Sequence, residues 1–266
     1  MPPITGKASL QEAQTILVNR FSAKTTRIYE AGGGSASWAP SAIRNGSHTT
    51  VVDIDETQLK NNDYANVKIL GDIQTQEFPS GTFDLVICYN VIEHLDAPDK
   101  AIAQFYQALT PGGVLFIGAP NPGSFSGWVT KMTPHWFHVM YYRHVLGYKS
   151  AGQPGSVPFP AVFHRVINPP VLIEYCGSLG FKVVYFTEYK GMIYENMDQR
   201  SPFLGKILSM AVTVANALIL WRKDLRNGDY HIVLEKPMGA AEAPQSAACG
   251  GYYGSTSGGI AVPGRS

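Results

Sequence analysis

Cysteine is scarce in this chain of 266 residues. Cys88, Cys176 and Cys249 are the whole set, with neither metal-type spacing nor an even number for a disulfide framework. That scarcity argues against a disulfide-stapled scaffold and a cysteine-ligated metal centre, and it fits a reducing compartment. An excess of one charge is missing too. The net charge of +1 gives no electrostatic footprint of a nucleic-acid-binding protein. The N-terminus, MPPITGKASLQEAQ, lacks the apolar core of a signal peptide, so a cytoplasmic protein is expected. No internal repeat is visible. The Gly-, Ala- and Ser-rich end at 238–266 has no period and little to bury. It reads as a disordered tail, which leaves 1–237 as a single domain.

What is present is alternation. RIYEA (27–31), TTVVDID (49–55), NVKIL (66–70), FDLVICYN (83–90) and GVLFIGAP (113–120) read as five strands. SWAPSAIRNG follows the first as a short helix, with Ser37 as N-cap and Gly46 as stop. DAPDKAIAQFYQAL (96–109) repeats its apolar residues at helical spacing and ends before Pro111 and two glycines. Strands interleaved with helices predict an α/β fold with a mostly parallel sheet covered on both faces. Residues 121–168 break the pattern. They are rich in aromatics, Pro and Gly, without a clear period, and an irregular insertion of that length predicts function. Order resumes with a helix at 170–179, a strand at 181–189, an apolar helix at 203–221 and a last strand at 230–237.

The stretch EAGGGSAS (30–37) lies just beyond the first strand, where parallel α/β sheets bind ligands. Gly32, Gly33 and Gly34 have no Cβ, so the backbone can turn tightly and approach a ligand closely. Asp53 closes the second strand 23 residues after Glu30, and a carboxylate there can accept both hydroxyls of a ribose. A turn acid or helix N-cap is the plainer reading of Asp53 alone. The two features together favour an adenosine-containing ligand, and both NAD and S-adenosylmethionine (SAM) fit.

The later motifs discriminate. EAGGGSA, VVDID, GDI (71–73), FDLVICYNVIEHL and LTPGGVL occur in order and at matching spacing. This set closely resembles the class I SAM-dependent methyltransferases, above all the small-molecule group that includes ubiquinone O-methyltransferases. The resemblance runs over 26–121 and more loosely to 237; Ala36 departs from it where a third glycine is usual. It implies a Rossmann-like seven-stranded sheet with an antiparallel last strand, and SAM as cofactor. It implies Glu30 near the methionine ammonium and Gly32 and Gly34 beneath the methionyl and ribose parts. Asp53 would take the ribose hydroxyls and Ile54 one adenine face. Asp72 would take the adenine amino group, with the Ile73 backbone nearby, and Asn90 would lie beside the transferring methyl.

Methyl transfer needs aligned reactants and exclusion of water, and a hydroxyl nucleophile gains from a general base. No Asn-Pro-Pro-Tyr-type stretch follows the fourth strand, and no acidic cluster suits a metal-dependent catechol enzyme. O-methylation of a small or lipid-like acceptor, without a metal, is therefore expected. C- or N-methylation, a SAM-binding regulatory or scaffold protein, and non-methyl chemistry on a natural product are the alternatives. His94, in VIEHL, is the first candidate base, or else a helix-start histidine satisfied by backbone. His135, with His138 and His144 in TPHWFHVMYYRH, is the rival, in a cluster that is either a substrate pocket or a small core of its own. Between Phe203 and Trp221 the only charge is Lys206. A helix apolar on all sides, about 28 Å long at 1.5 Å per residue, is buried in protein or lipid. It packs on the insertion or a second subunit, or it lies in a membrane surface with Lys206, Arg222 and Lys223 toward headgroups.

Overall fold

The computed structural model describes residues 5–144, 147–153, 156, 158–191, 210, 212–214 and 225–239. Seven strands form one sheet: β1 (Arg27–Ala31), β2 (His48–Asp53), β3 (Val67–Leu70), β4 (Phe83–Tyr89), β5 (Leu109–Pro120), β6 (Lys182–Lys190) and β7 (Asn227–Glu235). Their order is β3-β2-β1-β4-β5-β7-β6. The first five are mutually parallel, and β7 runs antiparallel to β5 and β6. This is the seven-stranded, mostly parallel Rossmann-like sheet that the motifs imply.

The helices are α1 (Gly6–Phe21), α2 (Ser41–Arg44), α3 (Glu56–Lys60), α4 (Pro98–Ala108), α5 (Phe125–Met132), α6 (His135–His144) and α7 (Pro169–Leu179). Two apolar layers flank the sheet. On one face Ile102 and Phe105 of α4 and Leu172 and Cys176 of α7 pack on Tyr29, Val86, Leu115 and Ile232. On the other, Leu17 and Phe21 of α1 and Ile43 of α2 pack on Ile28, Leu85, Phe116 and Val233. Burial on both faces is why β1, β2, β4 and β5 read as continuous apolar runs.

Three local readings are corrected. Ser37 does not cap the helix after β1. α2 begins four residues later with Pro40 before it, and the Ser37 hydroxyl serves Glu30 instead. The 121–168 segment is not irregular throughout, because α5 and α6 occupy much of it. α5 is capped by Ser124 Oγ, which accepts from Gly127 N at 3.0 Å. α6 buries none of its residues, which is why no apolar period marks it. The third correction is α1, an element the pattern did not announce. Its buried stripe is Ser9, Ala13, Leu17 and Phe21, so half the stripe is small or polar. Of the apolar stretch 203–221, Met210 and residues 212–214 are described, and they are helical. The rest of it and the tail from residue 240 lie outside the described residues.

Chain order reverses between β1 and β4, so the connections after these neighbouring strands leave toward opposite sides and open a crevice beyond their carboxyl ends. The glycine run, Asp53 and Asn90 all lie on that edge.

Candidate active site at the carboxyl edge of the sheet

Glu30, in β1, is almost fully buried. Its carboxylate takes the Ser37 hydroxyl, Trp38 N at 3.1 Å and the Tyr64 hydroxyl at 3.4 Å. Burial raises its pKa, and these donors oppose the rise. The glycines follow. Gly32 has φ +67°, and a Cβ there would lie 2.5 Å from a Val91 methyl carbon. At Gly33 a Cβ would lie 2.8 Å from the Tyr64 hydroxyl and 2.9 Å from Glu30 Cβ. Gly34 has φ +51° and donates its N–H to Asp53 Oδ2 at 2.9 Å. Each glycine is therefore required by backbone conformation or by a side chain pressed against it, and a merely flexible turn would not need all three.

Asp53, half-buried, also accepts from Asp55 N through Oδ1 at 2.8 Å. Beyond it Ile54 is 77% exposed, and Leu70, the residue paired with Asp53 across the β2–β3 ladder, is 59% exposed. Two bare aliphatic side chains beside a carboxylate suit a flat apolar ring with a polar sugar attached. Asp72 holds the Gln74 backbone N–H at 2.8 Å and the Gln74 side-chain amide at 3.1 Å, while Ile73 is buried. Gln74 in turn accepts from Ala97 N at 2.7 Å, which ties this turn to the start of α4. Asn90, exposed, follows β4 in the left-handed region at φ +53° and donates its N–H to Gly118 O at 2.8 Å.

A 3-10 turn, Ile92–His94, follows Asn90. His94 Nδ1 lies 2.7 Å from Pro160 O. A carbonyl only accepts, so Nδ1 carries the hydrogen and Nε2 keeps its lone pair. Burial lowers the His94 pKa, the carbonyl opposing this, so the ring is neutral at pH 7. Glu93 Oε1 is 3.7 Å from His94 Nε2, and Glu93 Oε2 has no hydrogen-bond partner among the described residues. Burial pushes Glu93 up to about 8. The pair is therefore two neutral groups at pH 7 rather than an ion pair. The insertion is clamped to this turn, since Val162 N and Phe163 N both donate to Glu93 O, with Phe163 at φ +51°.

The two candidate histidines meet the same strap from different sides. His94 lies against Phe159 and Pro160, and exposed His135, at the start of α6, lines a hollow of about 300 Å³ with Gln153, Phe159 and Pro160. His138 is turned inward to Thr133 Oγ1 at 3.0 Å, and His144 is exposed.

Several residues here escape motif reading. Tyr89, the last residue of β4, stacks on Trp38 with ring centres 3.9 Å apart. His231, fully buried in β7, meets Tyr89 Oη at 3.0 Å and Tyr189 Oη at 3.1 Å through Nε2. A histidine inside the apolar strand YHIVLE and an acid between the apolar neighbours of VIEHL were the available signals.

Comparison with known proteins agrees with this fold. A family model described as a methyltransferase domain matches residues 29–117. A ubiquinone biosynthesis O-methyltransferase of Aromatoleum aromaticum is 25% identical over 184 residues, which are 65% of this chain and 70% of that protein. Two solved structures share the fold. A geranyl diphosphate methyltransferase in complex with GPP and sinefungin aligns at TM-score 0.54 and 13% identity, over 85% of this chain and 78% of the other. The [4+2]-cyclase SpnF aligns at TM-score 0.51 and 15% identity, over 86% and 82%.

Proposed function

We propose that this chain, which belongs to the class I SAM-dependent methyltransferases, methylates an oxygen of a small lipophilic acceptor. The observation that carries the reading is the junction at the β1–β4 crevice, where Gly32, Gly34 and Asp53 build a cradle and Val91, next after Asn90, lies against Gly32. SAM is the cofactor, and it supplies an electrophilic methyl group on a sulfonium.

The residues fit such a cofactor. A Cβ would fill the cradle at Gly32, and the bare Ile54 suits an adenine face. Asp53 has oxygen lone pairs beyond the two amides it already holds, enough to take ribose hydroxyls. Glu30 orders the loop through Ser37, Trp38 and Tyr64 and brings negative charge near an ammonium. Asp72 and the Ile73 backbone would meet the adenine edge, with Gln74 yielding one of its contacts. His94 would take the acceptor's proton on Nε2, because Nδ1 is committed to Pro160. His135 is the second choice for that role, from across the strap.

The insertion supports a lipophilic acceptor. Residues 121–168 contain no Asp or Glu, and Trp128, Met132 and Trp136 are each more than half exposed. Such a face suits an apolar substrate or the anionic surface that holds one. Among the described residues no helix is long and apolar enough to cross a membrane. Peripheral membrane contact or pairing with a second subunit would fall to 203–221.

Calorimetry with SAM and with its demethylated product tests the cradle. Binding of both is expected, and tighter binding of NAD than of SAM would overturn the reading. Incubating the protein with methyl-labelled SAM and a metabolite extract tests transfer. Label is expected in a base-stable, organic-extractable product, and label appearing only on amines would overturn O-methylation.

A further inference from the structure

His231 has no part in the cradle, yet it is the centre of a continuous row of hydrogen bonds. Tyr89 Oη lies 3.0 Å from His231 Nε2, and His231 Nδ1 lies 2.8 Å from Ser9 Oγ. Ser9 Oγ is 3.2 Å from Tyr185 Oη, and Tyr185 Oη donates to Glu12 Oε2 at 2.8 Å. Four elements contribute: β4, β7, α1 and β6. The row starts one residue before Asn90 and ends at exposed Glu12, which lines an open surface hollow of about 570 Å³ with Tyr185.

The carboxylate at the end sets the direction of the last link and favours one direction for the others. A carboxylate only accepts, so the single Tyr185 hydrogen points at Glu12. Tyr185 Oη is then open to accept the Ser9 hydrogen, and in that arrangement Ser9 Oγ accepts from His231 Nδ1–H. Nε2 is thereby a lone pair facing Tyr89 and Tyr189. All the donors point outward, from the crevice toward Glu12. The packing preserves this. A Cβ at Gly118 would lie 2.5 Å from the Tyr89 ring and 3.1 Å from the His231 ring, so glycine lets the two rings meet across β5. Trp38 holds the other face of Tyr89.

We propose that Tyr89, His231, Ser9, Tyr185 and Glu12 form a proton path from the crevice to the surface of α1, carrying the proton that methyl transfer releases. The proposal rests on the reading of the chain as a methyltransferase with an X–H nucleophile. In that reaction a lone pair on X forms the X–C bond. The C–S bond breaks with its electron pair staying on sulfur, and the X–H proton must leave. His94 Nε2 takes it up and hands it through crevice water to Tyr89 Oη as the Tyr89 hydrogen moves to His231 Nε2. The Nδ1 hydrogen moves to Ser9, the Ser9 hydrogen to Tyr185 and the Tyr185 hydrogen to Glu12, which releases it to water. Burial lowers the His231 pKa to about 4, so the ring stays neutral and gives up one hydrogen as it takes the other.

The first test needs no acceptor. Histidine-selective 15N spectra at pH 7 should show His231 protonated on Nδ1. Glu12→Gln, isosteric and three bonds away, should shift it toward the Nε2 tautomer. An Nε2-protonated ring in the wild type, or a ring indifferent to Glu12→Gln, overturns the path. The second test is methyl transfer to a long-chain alkylphenol in detergent, run in H2O and D2O. Tyr185→Phe and Ser9→Ala should each lower kcat roughly tenfold and change the solvent isotope effect, with KM for SAM unaltered. Folded variants with wild-type rate and isotope effect overturn the path. A wild type inert toward hydroxyl probes counts against O-methylation instead, and the tautomer still decides the path.

Discussion

The Gly34 amide and the Asp53 carboxylate hold each other at 2.9 Å, joining the loop after β1 to the end of β2. Asp53 thus organises the turn as well as offering oxygens to a sugar. Asp53→Ala should weaken SAM binding by about 1–3 kcal/mol, roughly 5- to 150-fold, as expected when hydroxyls lose a half-buried acceptor. Calorimetry measures it, and an unchanged affinity would remove Asp53 from the site.

Gly32 and Gly46 both have positive φ, but only Gly32 is crowded. A Cβ at Gly32 meets Val91 at 2.5 Å, whereas one at Gly46 meets nothing within 4 Å. Gly46→Ala should cost about 1–2 kcal/mol, the backbone cost alone. Gly32→Ala should cost about 2–5 kcal/mol, because overpacking adds to that strain. Adding Val91→Ala should recover part of the difference in urea melts. Equal losses at the two glycines would show that Val91 does not press on the cradle.

Glu93 makes stability depend on pH in a definite direction. Its folded value, about 8, lies above the ordinary 4.5, so the folded protein holds a proton that the unfolded chain has released. The stabilisation is complete below about 4.5 and drains away as pH rises through 8, by an amount on the order of 3–5 kcal/mol. Buried His231 acts in the opposite sense. Its folded value, about 4, lies below 6.5, so stability falls as pH drops between those values. Glu93→Gln should flatten the curve between about 6.5 and 8 and steepen its fall toward acid between 6.5 and 4.5, where the two groups oppose each other. Urea midpoints from pH 4 to 9 check this, and parallel curves for the two proteins would contradict it.

His94 should matter to turnover more than to binding. With Nδ1 tied to Pro160, Nε2 is the free basic atom at that end of β4. His94→Ala should lower kcat by about 10²-fold or more at unchanged SAM affinity, the usual worth of a positioned base. His135→Ala should have a smaller effect, since that ring is exposed across the strap. Full turnover in both variants would dispose of a histidine base.

Local pattern alone was enough for the strands of the sheet, for α4 and α7, and for the edge that carries Gly32 and Asp53, whereas Asp72 and Asn90 were singled out only by the family resemblance. Those features repeat within one element or one turn, and burial on both faces writes them as apolar runs. α1 escaped because its buried stripe contains Ser9 and Ala13, and α6 because it buries nothing. The use of Ser37 for Glu30, the clamp of 160–163 on Glu93 and His94, and the row through His231 depended on how layers stack. Tyr89 and His231 are 142 residues apart, and Ser9 and His231 are 222 apart. No periodicity encodes such pairs. A hydrogen bond between them exists only because α1 is laid across β4, β5 and β7 by the apolar surface they jointly bury, and once water is excluded there each polar group must find its partner among the others.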